Sequence, residues 1–316
     1  MKSIVIKTPE AATKLLPKTG YMSIRFKQQG NGSEYLEFIS VGNQKLKISG
    51  GVFIDDQGAE VTEILPSGWG GTTKVKVKEK YAYVYFPNDP AKWVLRFGGL
   101  QSTPNKPSLD GNSRINQMVS FALMFAGNSF FNSPIYGIET TAEARAGGCT
   151  EMLRDCSEFD QEIEHLDTTG MTSFTGMLFN NYKFNKPLAK LDVASAVAMN
   201  YMLKNTANLN QSLKGWKTAK VLDFSEFLMG SSNYNQDLSV LDFNVDVLLS
   251  NFISWTAISP ENYDKLLEKL ASYDWTARTT PKVFDAQGVR YTSKGAVFRN
   301  KLITAGWTIT DAGQAS

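Results

Sequence analysis

Residues 183–203 read KFNKPLAKLDVASAVAMNYML. Twenty-five residues on, 208–228 read NLNQSLKGWKTAKVLDFSEFL, and after the same interval 233–253 read NYNQDLSVLDFNVDVLLSNFI. A fixed interval is the mark of a chain built from stacked copies of one small unit. Four sets of residues keep it. An aromatic or Leu precedes Asn or Asp at Phe131, Phe159, Phe184, Leu209 and Tyr234. An apolar pair recurs at Met124-Phe125, Met152-Leu153, Met177-Leu178, Met202-Leu203, Phe227-Leu228 and Phe252-Ile253. Ile138, Leu166, Leu191, Trp216 and Leu241 form a third set, and Phe174, Met199, Phe224 and Leu249 a fourth. The first interval is 28 and the later ones 25, so the start of the array is irregular.

Within a unit, Leu188, Leu191 and Val193 end in the alternation of a half-buried strand, whereas Val197, Met199, Met202 and Leu203 approach helical spacing. A strand plus a short helical turn in this length predicts a leucine-rich-repeat solenoid, in which each unit buries its apolar face only against its neighbours. Asn128, Cys156, Asn181, Thr206 and Ser231 share one register. All are small and able to hydrogen-bond, which predicts a ladder that satisfies backbone groups at the inner turn. Cys156 is thereby read as a ladder residue; Cys149 has no place in the scheme.

FNKPLAKLDVASAVAMNYMLKN and NYNQDLSVLDF resemble the units of the BspA-like leucine-rich-repeat family. YTSKGAVFRNKLITAGWTITD resembles the segment that closes such arrays. The resemblance covers residues 95–312 or so and departs from the family's Trp-Asp pair at Gly215-Trp216-Lys217 and Val240-Leu241-Asp242. It implies surface proteins that adhere to host molecules, with related arrays in bacteriophage virion proteins.

The predicted fold class is α+β: a β-rich docking domain over 1–100, the repeat solenoid over 101–258 and an α/β cap over 259–316. In the first part EYLEFISVG and KLKISGG alternate on either side of Gly42-Asn43, and TKVKVKEKYAYVYF alternates for fourteen residues. Lys74, Lys76, Lys78 and Lys80 then share a face opposite Val75 and Val77. That stripe reads either as a solvated face that discourages edge pairing or as a contact for phosphate or an acidic glycan. Trp69, in a Gly-Trp-Gly-Gly turn, is a further contact candidate. In the cap, Ser259-Pro260-Glu261 starts one helix, with Leu266, Leu267 and Leu270 on its apolar face. Thr292-Ser293-Lys294-Gly295 opens a second, carrying Val297, Phe298, Leu302 and Ile303. Gly306 ends it before a strand at Trp307–Thr310. Trp275 and Trp307 close the end of the stack or mark a ligand site.

The chain carries 33 basic and 31 acidic residues. A net charge of +2 gives no reason to expect nucleic acid. Two cysteines build no disulfide framework. Neither a secretory leader nor a membrane span is visible. There is one histidine, His165, so a His-based metal cage is excluded and any nucleophile relay would depend on it alone. Cofactors, metals and catalytic residues are therefore not expected. The surface offered instead lies beside the central apolar residue of each strand: Glu139, His165, Asp167, Lys190, Asp192, Lys217 and Asp242. For Asp167, Asp192 and Asp242, turn stabilisation is the competing reading.

The expectation is a non-enzymatic virion component, a tail or fibre adhesin or a particle decoration. Its expected partners are other virion proteins, a host surface glycan or protein, and a second copy of the chain, without membrane insertion. A bacterial surface or intracellular interaction protein is the alternative, and a polysaccharide-degrading enzyme a third.

Overall fold

The computed structural model of the chain describes residues 21–27, 36–41, 44–66, 68, 71–87, 94–97, 108–109, 118, 120–136, 138 and 140–316. Within these it is a mixed α and β protein with antiparallel sheets and few helices.

Ten strands come first: β1 (Tyr21–Lys27), β2 (Leu36–Val41), β3 (Leu46–Ser49), β4 (Gly51–Ile54), β5 (Glu60–Val61), β6 (Glu63–Ile64), β7 (Thr73–Val77), β8 (Tyr81–Pro87), β9 (Val94–Arg96) and β10 (Ser108–Leu109). They form two five-stranded antiparallel sheets, ordered β10-β1-β8-β3-β6 and β5-β4-β7-β2-β9. Phe26 and Phe86 of the first meet Phe38 of the second, with ring centroids 6.4 and 6.1 Å apart. The strands on either side of Gly42-Asn43 go to different sheets, β2 pairing with β7 and β9, β3 with β6 and β8.

The fourteen-residue alternation is not one strand. It breaks at Lys78–Lys80, where the Lys78 and Glu79 amides both donate to Gly50 O at 3.0 Å. Burial then changes phase, with Val75 and Val77 inside β7 but Ala82, Val84 and Phe86 inside β8. Period-two patterning cannot skip a residue without exchanging faces. Lys80 thus leaves the expected stripe and lies over the Tyr81 ring.

In the repeats, residues one interval apart are bonded. Isolated parallel bridges join Ser173 to Ala198, Ala198 to Asp223 and Asp223 to Leu248. Leu153 N donates to Met177 O, Leu178 N to Met202 O, Leu203 N to Phe227 O and Leu228 N to Phe252 O, all at 2.9–3.0 Å. Phe97 enters the same series, its amide reaching Met124 O at 2.8 Å, directly after β9.

The bonded segment is not the one expected. PLAKLDV, read as a strand, holds turns and no strand residues. The ladder instead runs through the segment read as helical, which is itself a run of tight turns. The reason is a pair of left-handed positions in each unit. One set is Leu123, Glu151, Gly176, Tyr201, Glu226 and Asn251; the other is Gly127, Asp155, Asn180, Asn205, Gly230 and Trp255. A positive φ at every fourth residue forbids a helix. It turns alternate N–H groups toward the next unit, while the apolar pair between the two positions stays buried.

The inner ladder is present. Asn181 Nδ2 donates to Leu153 O at 2.7 Å, Thr206 Oγ1 to Leu178 O at 3.2 Å, Ser231 Oγ to Leu203 O at 2.6 Å and Cys156 Sγ to Phe125 O at 3.1 Å. Asn128 Nδ2 bonds Phe97 O in the same way. Cys149 occupies the column of Phe174, Met199 and Phe224, its amide donating to Ser173 O as theirs donate to Ala198, Asp223 and Leu248. The short helix α1 (Ala142–Gly147) lies in the 28-residue unit.

Past the repeats come α2 (Pro260–Ala271), β11 (Val283–Ala286), α3 (Ser293–Thr304) and β12 (Thr308–Asp311). Ser259 caps α2 and Thr292 caps α3, accepting from Asn262 N and Lys294 N. Leu249 bridges Phe284 of β11, and β12 pairs in parallel with β11. Trp275 and Trp307 are buried and meet edge-to-face at 5.0 Å with Arg278 over both rings. Helix α3 buries only Gly295 and Leu302; Val297 and Ile303 are exposed, because the helix packs on α2 along a narrow seam.

Candidate interaction surface

Two polar surfaces flank the buried columns. The first is the turn edge beside Leu166, Leu191, Trp216 and Leu241. Here His165, Asp167, Lys190, Asp192, Lys217 and Asp242 are all exposed. Most are also engaged in bonds between units. Arg145 pairs with Asp167, Lys190 Nζ lies 3.7 Å from Glu164, and Lys269 donates to Asp242 at 3.0 Å. His165 Nε2 is 3.0 Å from Ile135 O, and its ring stands 5.1 Å from that of Tyr136. Asp167 and Asp192 each accept an N–H from two residues downstream, the geometry of a stabilised turn. Bonds from Thr169, with Arg145 nearby, hold the Asp167 carboxyl below its ordinary range. These six side chains lie on consecutive turns, not on strands. Glu139 lies outside the described residues.

The expected N-terminal contacts are paired as well. Lys74 lies 3.8 Å from Glu37 and Lys76 3.9 Å from Glu60, and Lys78 also pairs with Glu60. The three lysines thus share two carboxylates, which reduces but does not remove the positive charge of the stripe. Trp69 lies outside the described residues.

The second surface covers the hydrogen-bonded ladder, and its side chains project from and between the left-handed positions. Glu151 and Asp155 pair with Arg154, and Lys204 pairs with Glu226. Phe179 and Tyr201 meet edge-to-face at 5.8 Å. A file of side-chain amides runs along it: Asn205 Nδ2 donates to Asn180 Oδ1 at 2.9 Å, and Asn180 Nδ2 to Asp155 Oδ1 at 2.7 Å. Trp255 stands at the end of that column, 55% exposed. Reading the apolar anchors alone passes over this surface. Its signal was the Gly, Asp, Asn, Asn, Gly series at 127, 155, 180, 205 and 230, residue types that favour left-handed backbone.

A further file holds the edges in register. Asp160, Asn185, Asn210 and Asn235 each donate a backbone N–H to the side-chain oxygen of the residue one unit before, at 2.9–3.0 Å. Ser259, the α2 cap, bonds Asn235 in the same way at 2.7 Å.

Neither thiol is a usable nucleophile. Both are free and buried, and burial pushes Cys149 up to about 12 and Cys156 higher. No group of three or more His, Cys, Asp or Glu suited to a metal occurs among the described residues, and no helix among them is long and apolar enough to cross a membrane.

Residues 147–260 match the protein-family model described as "Mycoplasma protein of unknown function, DUF285". The likeness lies in the repeats. It begins just before Cys149, where the regular 25-residue spacing starts, and ends at the first residue of α2. The β sheets and most of the cap lie outside it. No curated protein and no solved structure matches the chain.

Proposed function

We propose that the protein is a non-enzymatic binding protein whose repeats form a leucine-rich-repeat solenoid of the BspA-like kind, held between a β docking domain and an α/β cap. The observation that carries this reading is the ladder. Backbone bonds and three files of side chains lock each unit to the next, so exposed groups are displayed in fixed register. A rigid face of that sort is suited to holding a partner. The DUF285 likeness supports the BspA-like reading, since that domain is found in BspA-like surface proteins. Buried thiols and a histidine engaged with a backbone carbonyl give no support to nucleophilic catalysis.

The carrier is a virus particle or a bacterial surface. The virion reading rests on the sequence resemblance, whereas the Mycoplasma family match favours a cellular protein. Two measurements test the proposal together. Labelled full-length protein should bind cell envelopes of the source culture saturably, and quantitative mass spectrometry should locate it on purified particles or on cells. A few copies per particle indicate a tail or fibre, hundreds indicate a decoration, and absence from particles with presence on cells assigns it to the bacterium. Failure to bind envelopes, together with turnover of a polysaccharide, overturns the binding reading.

A further inference from the structure

Trp255 breaks the rule of its own column. The other five positions hold Gly, Asp or Asn, which tolerate left-handed backbone, but Trp255 adopts φ +62°. A bulky residue there is strained, and such outliers concentrate where a side chain must be aimed. Burial does not explain it. Trp216, Trp275 and Trp307 are at most 4% exposed, whereas Trp255 is 55% exposed.

The indole is seated nonetheless. The Trp255 amide donates to Gln287 O at 2.7 Å. The six-membered ring lies against Gly288, where a Cβ would stand 3.0 Å from Cε3. Gly288 has φ +84°, so the seat is itself built from a residue that needs to be glycine. Asn251 and Gln287 bond each other beside it.

Along the same column, Gly230 leaves room for Asn205. A Cβ at Gly230 would come within 2.2 Å of Asn205 Oδ1. At a rung spacing of about 4.8 Å, Asn205 lies roughly 10 Å from the tryptophan, and Asn180 and Asp155 continue the file away from it. The strip thus joins one open aromatic face to a line of amide and carboxylate groups. Lys204 and Glu226 cancel each other, while Arg154 is shared by Glu151 and Asp155, which leaves a single negative charge at the far end.

We infer that the strip from Trp255 to Asp155 is a carbohydrate site that takes a neutral polysaccharide: the indole stacks on the C–H face of one sugar and the amides meet hydroxyls of sugars further along the chain. Anionic ligands do not fit, because the one charge left over along the strip is negative. An aromatic ring supplies contact area at little entropic cost, and side-chain amides both donate and accept, as a hydroxyl does. This inference rests on the binding reading and specifies the ligand class of its ladder face.

The test is affinity electrophoresis of the full chain in native gels containing dextran, galactomannan or mixed-linkage β-glucan. Wild type should be retarded by at least one of them. Trp255→Ala should bind at least about tenfold more weakly, a difference equivalent to ~1.4 kcal/mol. Trp255→Phe should retain part of the retardation, and Lys301→Ala on the exposed side of α3 all of it. Equal retardation of wild type and Trp255→Ala, or no retardation by any of the three, overturns the inference. Envelope binding that persists in Trp255→Ala would then leave the broader binding reading standing.

Discussion

Single positions show how tightly the units are stacked. Gly176 has φ +58°, and a Cβ there would lie 2.6 Å from Tyr201 Cε2; Gly127 has φ +80° and open space around it. Gly127→Ala therefore meets only the backbone cost of about 1 kcal/mol, whereas Gly176→Ala adds the displacement of the Tyr201 ring and should lose roughly 2 kcal/mol. Denaturation midpoints of the two variants give the comparison, and equal losses would mean that Tyr201 moves aside freely. The thiols offer a second residue-scale prediction. Desolvation raises both above their ordinary range, so at pH 8 the native protein should react with a thiol reagent at a small fraction of the rate seen in guanidinium, where two thiols should titrate. Rapid native labelling of either cysteine would contradict its burial.

At the scale of elements, the two cap helices depend on one buried carboxylate. Asp264 of α2 is 4% exposed and accepts from Thr292 N at 2.9 Å and from the Thr292 hydroxyl, so it fixes the residue that caps α3. Gly295 makes room for it, since a Cβ there would stand 1.9 Å from Asp264 Oδ1. Gly295→Ala should cost roughly 1–3 kcal/mol by forcing the helices apart. A thermal melt as stable as wild type would show that the junction yields without loss. Ser259 and Thr292 were legible in the sequence because N-caps are local. The repeat columns were legible because a fixed interval needs no knowledge of backbone geometry. The backbone within each unit was not, because apolar residues three and four apart fit a helical turn and a chain of left-handed turns equally well. The break at Lys78–Lys80 was hidden for a related reason, since two alternating strands of opposite phase read as one run. Trp255 was passed over because tryptophan in a repeat is ordinarily core, as Trp216 is.

For the molecule as a whole, the junction between repeats and cap is the place where pH should act. Asp246 Oδ1 accepts from Thr279 N at 2.6 Å and from Thr280 N at 3.3 Å, pinning the loop before β11 onto the last units, and Arg278 donates to Val245 O and Val247 O beside it. The backbone bond from Thr279 leads the causes that hold Asp246 below the usual carboxylate range, and a bond from the Thr276 backbone does the same for Asp274. A carboxyl whose folded pKa is depressed adds stability that is fully present above its unfolded value, about 3.9 for Asp, and is lost as the pH falls through the folded value. Stability should therefore be flat with respect to these groups from pH 7 to about 5 and fall below about 4. Urea midpoints at pH 7 and 3.5 measure the fall. Asp246→Asn keeps an acceptor oxygen but cannot be protonated, so it should begin lower at pH 7 and lose less on acidification than wild type does. One continuous line of backbone bonds runs from Phe97 to β12, so loosening at this junction should expose the apolar residues of the last unit, Leu249 and Phe252, to solvent. Acid-induced binding of a hydrophobic dye, reduced in the Asn variant, would tie the pH effect to the junction. An identical acid response in both proteins would place it elsewhere.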